Sequence, residues 1–164
     1  MLTLPIVPLT KTGFAPFGQV IETKDAKAKL INDGFADRFD GLAGIDVAAE
    51  GGTVNISLFD GRLRPRPILI KLMERHPLGS QSWLPLDGQR FLIVVAPAGE
   101  QWALADVRVF VSDGRQGVNY ARGVWHHPLL SLGEAPGRYV VVDRDGPGDN
   151  CEERPLPRVV ELVI

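Results

Sequence analysis

Short apolar and β-branched runs recur along this chain, and glycine and proline turns separate them. The clearest runs predict β-strands at Thr53–Leu58, Ile68–Arg75, Phe91–Ala96, Val107–Val111, Tyr139–Val142 and Arg158–Ile164. The 164 residues include 18 glycines and 13 prolines, a share well above the usual one. Long helices do not tolerate breakers at this frequency. We therefore predict an all-β sandwich or barrel with few short helices and exclude a helical bundle.

Three segments allow more detailed predictions. The run Phe91–Ala96 is apolar throughout, which predicts a strand covered on both faces. Leu86–Gln89 contains Asp-Gly and predicts a hairpin turn. Lys24–Leu30 has helix-forming residues but is soon followed by Gly34, which favours a loop or a single helical turn. Because no repeat or linker interrupts the chain, we expect one domain over residues 1–164.

Charge and cysteine content exclude several classes of protein. Lys plus Arg number 18 and Asp plus Glu number 20, for a formal charge of -2. This balance argues against a nucleic-acid binder and against a polybasic membrane anchor. The lone cysteine, Cys151, excludes an internal disulfide framework and a thiolate zinc cluster. Without a signal peptide or a long apolar segment, we expect a cytoplasmic protein with no membrane partner.

The three histidines, at positions 76, 126 and 127, mark where a site could lie. Strand alternation places on one face the series Ile68, Ile70, Leu72, Glu74 and His76. Such a face fits the mouth of a barrel, with apolar residues below and polar groups at the rim. It also fits a strand that leaves the core and meets water at its last residues. Periodicity alone favours this second interpretation.

The adjacent His126 and His127 point to opposite faces if they lie on a strand, so at most one joins His76. Pro128 follows them and restricts His127 to an extended conformation. The other histidine of the pair is then expected to be half buried and bonded to the backbone.

The spacing around these histidines resembles the two motifs of the cupin superfamily. The matching positions are Glu74-x-His76-x4-Gln81-x6-Gly88 and Gly123-x2-His126. The chain departs from the family pattern at three positions. Glu74 stands for a histidine, Gln81 for a glutamate and Ala121 for a proline. The resemblance selects His126, not His127, as the inward histidine.

A closer resemblance is to the ureidoglycolate lyase family, and it covers almost the whole chain. It is carried by Glu74–Gln81, Gln116–Tyr120, Val124–Leu129 and Asp149–Cys151, with Phe14–Glu22 and Ile31–Gly34 in support. The resemblance implies a cupin-like β-barrel of the jelly-roll type and a homodimer. It also implies a carbon–nitrogen lyase that splits (S)-ureidoglycolate into glyoxylate and urea during allantoin breakdown, a part of purine catabolism.

This chemistry requires few groups. Ureidoglycolate is a carbinolamide, so loss of its hydroxyl proton allows the C–N bond to break as urea leaves. A base and an acid each contribute about 10²–10⁴-fold. We expect His76 and His126 to be these two groups, in an order left open, with Glu74 and Gln81 completing the catalytic set.

The same four residues, Glu74, His76, Gln81 and His126, would suit a divalent metal: Ni, Mn, Fe or Zn. A metal would chelate the substrate and lower the pKa of its hydroxyl. Because glutamine is a weaker ligand than glutamate, we expect a site that works with or without metal. No organic cofactor is expected.

For binding of the small-molecule substrate, Asn119 and Tyr120 are candidates because they lie in the second motif. The polar segment Ile31–Asp40 brings Asn32 and Arg38 either over the barrel mouth or into an ordinary surface loop. Two other functions stay open. One is an amidohydrolase that releases ammonia from the same substrate, and the other is a ligand-binding cupin without turnover.

Overall fold

The computed structural model describes residues 2–164, and nearly all of its regular structure is β-strand. Within these residues the helical elements are one α-helix, α1 (Lys11–Phe14), and three 3₁₀ turns at Asn32–Gly34, Ala49–Gly51 and Leu104–Asp106. Thr10 caps α1, since its side chain accepts a hydrogen bond from the Gly13 amide. The all-β prediction with few short helices is confirmed.

The strands, in chain order, are β1 (Leu2–Thr3), β2 (Ile6–Pro8), β3 (Gly18–Ile21), β4 (Ala28–Ile31), β5 (Ala36–Phe39), β6 (Thr53–Gly61), β7 (Ile68–Arg75), β8 (Gln81–Pro85), β9 (Phe91–Ala96), β10 (Arg108–Val111), β11 (Gly117–Tyr120), β12 (Trp125–His126), β13 (Leu130–Ser131), β14 (Gly137–Asp145) and β15 (Glu152–Leu162). The larger sheet has the order β1-β15-β7-β12-β9-β10-β2, with β13 also paired to β9. The second sheet has the order β3-β11-β8-β14-β6. Together they form the cupin-like, jelly-roll barrel that the sequence predicts.

The central strand β9 is buried on both faces, as its unbroken apolar run predicts. Phe91, Ile93 and Val95 pack in the core between the two sheets, with aromatic residues of α1, β8 and β14. The alternate residues of β9 pack in a second cluster on the outer face of the larger sheet, with Trp125. The barrel wall that carries the site is therefore fixed from both sides.

Strand β7 does not keep the single face that strict alternation predicts for it. Ile70 and Met73, three positions apart, both lie in the outer cluster, so alternation slips between them. Opposite this slip, the pairing of β15 shifts register between Pro155 and Val160. Alternation resumes after Met73 and turns Glu74 toward the barrel interior. The prediction of one continuous face was wrong because sequence alone does not show the irregularity in the partner strand.

The other strand predictions are confirmed, although β6, β14 and β15 are longer than predicted. The turn at Leu86–Gln89 is present, with Gly88 at φ 69°. It joins β8 of one sheet to β9 of the other. The hairpin prediction was therefore wrong. Lys24–Leu30 is a loop only at first, because β4 begins at Ala28 and pairs with β5 in a separate two-stranded hairpin.

Among the residues that the structure describes, no helix combines the length and apolarity needed to cross a membrane.

Candidate active site

Glu74, His76 and His126 meet where β7 pairs with β12. His126 lies directly opposite Glu74 in the sheet register. Glu74 Oε1 is 3.5 Å from His126 Nε2, and the two imidazole rings are 5.1 Å apart between centroids. One ligand atom from each of the three residues lies within 4.8 Å of the other two. The backbone pairing thus assembles the two histidines and the carboxylate from distant parts of the sequence.

Backbone carbonyl groups fix the orientation of both imidazoles. His76 Nδ1 donates to the carbonyl of Asn150 at 2.7 Å, and His126 Nδ1 donates to the carbonyl of Val124 at 3.1 Å. A carbonyl only accepts, so the proton is on Nδ1 and the lone pair of each ring is on Nε2. Both Nε2 atoms are buried and have no hydrogen-bond partner among residues 2–164. Two unsatisfied acceptors therefore face the Glu74 carboxylate.

The charges within the cluster follow from burial and proximity. Burial lowers the pKa of His76 and the neighbouring His126 lowers it further, against the opposing effects of the Asn150 carbonyl and Glu74. Burial would raise the pKa of Glu74, but its contacts with the histidines, His126 foremost, outweigh this and lower it. At neutral pH the cluster thus presents an ionised carboxylate beside a neutral His76 imidazole.

Tyr120 supports His126 from the core side. Its ring stacks on the imidazole with centroids 4.2 Å apart and planes 12° apart. Burial, with a smaller effect of Glu74, raises the pKa of the Tyr120 hydroxyl well above its usual value. The tyrosine is therefore neutral, and its stacked ring fixes the orientation of the His126 imidazole.

A cavity of about 710 Å³ opens beside this cluster. Glu74 and Gln81 lie on its wall together with Trp83, whereas neither His76 nor His126 lines it. Gln81 Oε1 accepts a hydrogen bond from Trp83 Nε1 at 2.8 Å, which fixes the orientation of the amide. A molecule in the cavity would therefore meet Glu74 and Gln81 first.

His127 lies on the opposite face of the sheet from this cluster. Its Nδ1 donates to the Pro128 carbonyl at 2.7 Å, and burial lowers its pKa to about 4. It lines an outer groove with Lys71 and Leu72. The selection of His126 as the inward histidine is confirmed.

The whole chain matches a known family. The match to the family described as ureidoglycolate lyase covers residues 1–163. The chain belongs to the ureidoglycolate lyase family. A ureidoglycolate lyase of Burkholderia mallei (strain NCTC 10229) is 54% identical over 163 residues, which are 99% of this chain and 95% of that protein. That of Pseudomonas syringae pv. tomato is 50% identical over 164 residues, 100% of this chain and 96% of that protein.

A ureidoglycolate lyase of Azotobacter vinelandii is 49% identical over 164 residues, 100% of this chain and 98% of that protein. Among solved structures, RmlC from Streptococcus suis in complex with dTDP-D-xylose is 18% identical with a TM-score of 0.41. That overlap covers 59% of this chain and 45% of that chain. It is too low to carry an argument.

The oxygen and the nitrogen of the Asn119 amide are both hydrogen-bonded by the protein. Its Oδ1 accepts from the Ser82 hydroxyl at 2.7 Å, and its Nδ2 donates to Gln19 Oε1 at 2.8 Å and to the Gly44 carbonyl at 3.0 Å. These contacts favour a role in holding β3, β8 and β11 together. Substrate binding by Asn119 stays a prediction, as it does for Tyr120.

Asn32 and Arg38 lie on the hairpin of β4 and β5, which forms a two-stranded sheet separate from the two large ones. Both side chains are exposed, and Arg38 Nε pairs with Asp40 Oδ1 at 2.5 Å. Neither residue lines the cavity beside Glu74. Their predicted contact with substrate stays a prediction, and the structure brings neither one to the cluster.

Sequence reasoning missed two features of the site. The first is Asn150, whose carbonyl orients His76 and whose Oδ1 accepts from the Leu78 amide at 2.8 Å. The second is the pair Arg62 and Arg64, which lie on the cavity wall. An Asp-Asn pair before a strand indicates only a turn, and arginines between prolines indicate only an exposed segment. The family resemblance includes Asp149–Cys151 but assigns no role to Asn150, and nothing in the sequence indicates a role for the two arginines.

The cluster has the donors that a divalent metal requires. Glu74, His76 and His126 form a set of two imidazoles and one carboxylate whose ligand atoms lie within 4.8 Å of one another, and both Nε2 atoms are unpartnered within residues 2–164. Such a set suits Fe, Mn, Ni and Zn. Metal-binding histidines usually donate their other ring N–H to a carbonyl or carboxylate, as each Nδ1 does here. The residues therefore fit a metal.

Proposed function

We propose that the cluster of Glu74, His76 and His126 catalyses the cleavage of ureidoglycolate into glyoxylate and urea in allantoin catabolism. The observation that carries this proposal is the pair of unpartnered, buried Nε2 atoms beside an ionised carboxylate on a cavity wall. The protein is an enzyme of a family named for this lyase activity. The reaction needs acid–base groups and no nucleophile, which this set supplies.

The elimination moves one proton within the active site. Glu74, on the cavity wall, accepts the proton of the substrate hydroxyl as the C–N bond breaks and the carbonyl of glyoxylate forms. His126 Nε2, 3.5 Å from the carboxylate, takes up this proton and passes it back through Glu74 to the departing nitrogen of urea. His76 stays neutral and keeps its lone pair toward the same point. No net proton is gained or lost.

Gln81 orients the substrate. Because its oxygen accepts from Trp83, its amide nitrogen is the group presented to the cavity. An N–H donor there suits the ureido carbonyl, which gains negative charge as the C–N bond lengthens. Tyr120 and Asn119 hold His126 and the neighbouring strands in place.

Glu74, His76 and His126, with Gln81 beside them, would also hold a divalent metal, Ni, Mn, Fe or Zn. When bound, such an ion supplies Lewis acidity that lowers the pKa of the substrate hydroxyl. Since the carboxylate and imidazoles perform the proton transfer themselves, we propose that chelation slows the enzyme without abolishing its activity.

The test is product analysis. Purified protein, before and after chelation and with each metal restored, is given racemic ureidoglycolate, and urea, glyoxylate and ammonia are measured. We expect equimolar urea and glyoxylate without ammonia. Ammonia in place of urea would identify an amidohydrolase. Binding of ureidoglycolate without any product would identify a ligand-binding protein.

We further propose that residues 1–164 act as one domain and that two copies form a cytoplasmic homodimer. A dimer is supported by the edge strand β6, whose alternate residues Val54, Ile56 and Leu58 are exposed and apolar. A reducing compartment is supported by the free thiol of Cys151. Light scattering of the wild type and of an Ile56→Asp variant tests the dimer, which the added charge should dissociate.

A further inference from the structure

The segment between β6 and β7 carries an arginine at every second position: Arg62, Arg64 and Arg66. All three are exposed. Arg62 and Arg64 lie on the wall of the cavity beside Glu74. Arg66 instead lines a separate pocket with the last residues of the chain. Arg64 also lines the outer groove of His127, so it lies between that groove and the cavity. The segment therefore places Arg62 and Arg64 at the cavity and Arg66 away from it.

Arg62 and Arg64 are the charged donors of this cavity that have no acceptor within residues 2–164. The cavity's Asp60 is already held by Arg138, whose Nε lies 2.7 Å from Oδ1. Glu74 Oε1 lies 3.5 Å from His126 Nε2. The hydrogen bonds and ion pairs of the described chain leave the two guanidinium groups available.

Arg38 and Arg75 are engaged elsewhere. Arg38 pairs with Asp40 on the separate hairpin. Arg75 packs on the outer face against Trp125 and pairs with acidic side chains there. The positively charged groups available to a carboxylate that enters the cavity are therefore Arg62 and Arg64. The planar fork of arginine matches a carboxylate through two parallel hydrogen bonds.

We propose that Arg64, with Arg62 beside it, binds the substrate carboxylate and so selects substrates that carry a carboxylate at this site. The inference rests on the proposed function. With its carboxylate on Arg64, the substrate presents its hydroxyl and ureido group to Glu74 and Gln81 on the same wall. Arg64 is then a substrate-binding residue, and the exposed segment gives the reaction its specificity.

The first test compares Arg64→Gln with the matched control Arg66→Gln, which changes the same residue type in the same segment. We expect KM for ureidoglycolate to rise about 10- to 100-fold in Arg64→Gln, the value of a charged hydrogen bond. We expect little change in Arg66→Gln, partial recovery in Arg64→Lys and a smaller rise in Arg62→Gln. Equal KM values for the Arg64→Gln and Arg66→Gln variants would overturn the proposal. Thermal unfolding verifies that each variant is folded.

The second test separates this inference from the proposed function, because it needs no turnover. Calorimetric titration with glyoxylate, which carries the carboxylate, and with urea, which lacks it, is performed on wild type and Arg64→Gln. We expect glyoxylate affinity to fall about 10- to 100-fold and urea affinity to stay unchanged. A wild type that makes no urea but binds glyoxylate through Arg64 would contradict the proposed function alone. Glyoxylate binding that is absent, or unaffected by Arg64→Gln, would overturn the inference alone.

Discussion

His126 and His127 are adjacent in the sequence, yet they lie in two different chemical environments. His126 faces the barrel interior, where its Nε2 is unpartnered and 3.5 Å from Glu74. His127 faces an outer groove, where burial lowers its pKa to about 4 and its ring bonds to the neighbouring carbonyl. One step along an extended strand reverses the direction of a side chain. The imidazole at position 126 therefore belongs to the candidate site, whereas the imidazole at position 127 packs in the outer groove.

This difference predicts the largest effect on activity. His126→Asn keeps an amide that can donate to the Val124 carbonyl but removes the Nε2 lone pair. We expect kcat to fall about 10²–10⁴-fold. The measurement is urea release under saturating ureidoglycolate. The matched control is His127→Asn, for which we expect kcat within about twofold of the wild type, since His127 lies outside the cavity. Equal losses of kcat in the two variants would contradict the difference in function between the two histidines.

A second loss of activity is expected at Glu74, which lies opposite His126 in the register. Glu74→Gln keeps the shape of the side chain and removes its charge. We expect kcat to fall by about 10²-fold, because an amide cannot accept the hydroxyl proton. A KM effect with unchanged kcat would show instead that Glu74 only binds substrate.

His127 predicts a dependence of stability on pH. Its pKa of about 4 in the folded protein lies below the ordinary value of 6.5. The unfolded chain therefore binds more protons below pH 6.5, and stability is complete above that pH and lost as pH falls toward 4. We expect this residue to account for a loss of about 2 kcal/mol between pH 7 and pH 5.

Urea unfolding of wild type and His127→Asn at these two pH values measures this loss. The variant should lose less stability than the wild type on acidification, although His76, whose pKa is also lowered, still contributes in the same direction. If the unfolding free energies of the two proteins fell equally with pH, His127 would not be the cause of the loss.

The smallest effect is expected at Asn150. Asn150→Ala removes the side-chain acceptor of the Leu78 amide but leaves the backbone carbonyl that orients His76. We expect a loss of about 1 kcal/mol in unfolding free energy and less than about a tenfold loss in kcat. A loss of activity as large as that of His126→Asn would show that Asn150 contacts the substrate itself.

Much of the fold was predictable because apolar periodicity reports burial. The bounds of β7 and β9 are those that the sequence predicts, since each is an apolar run between turn residues. The hairpin of β4 and β5 was not predictable, because its exposed strands carry no alternation of apolar and polar residues. The slip within β7 also has no local cause, since it accompanies a register shift in β15, far along the chain.

The site was predictable in part. The motif spacing indicates Glu74, His76 and His126, and the structure brings these three together. The sequence does not show that neither imidazole lines the cavity, nor that the amide of Asn119 is hydrogen-bonded by the protein. Arg64 was missed because its role depends on where an exposed segment crosses the barrel mouth.

The central claim is that Glu74 and His126 act as one proton-transfer unit, and a double-mutant cycle tests it most directly. Urea release is measured for the wild type, Glu74→Gln, His126→Asn and the double variant. Residues that act as a unit are not additive. We predict a double variant about as slow as the slower single variant. Losses that multiply would show that the two residues act independently, and wild-type rates in all four proteins would show that the reaction takes place elsewhere.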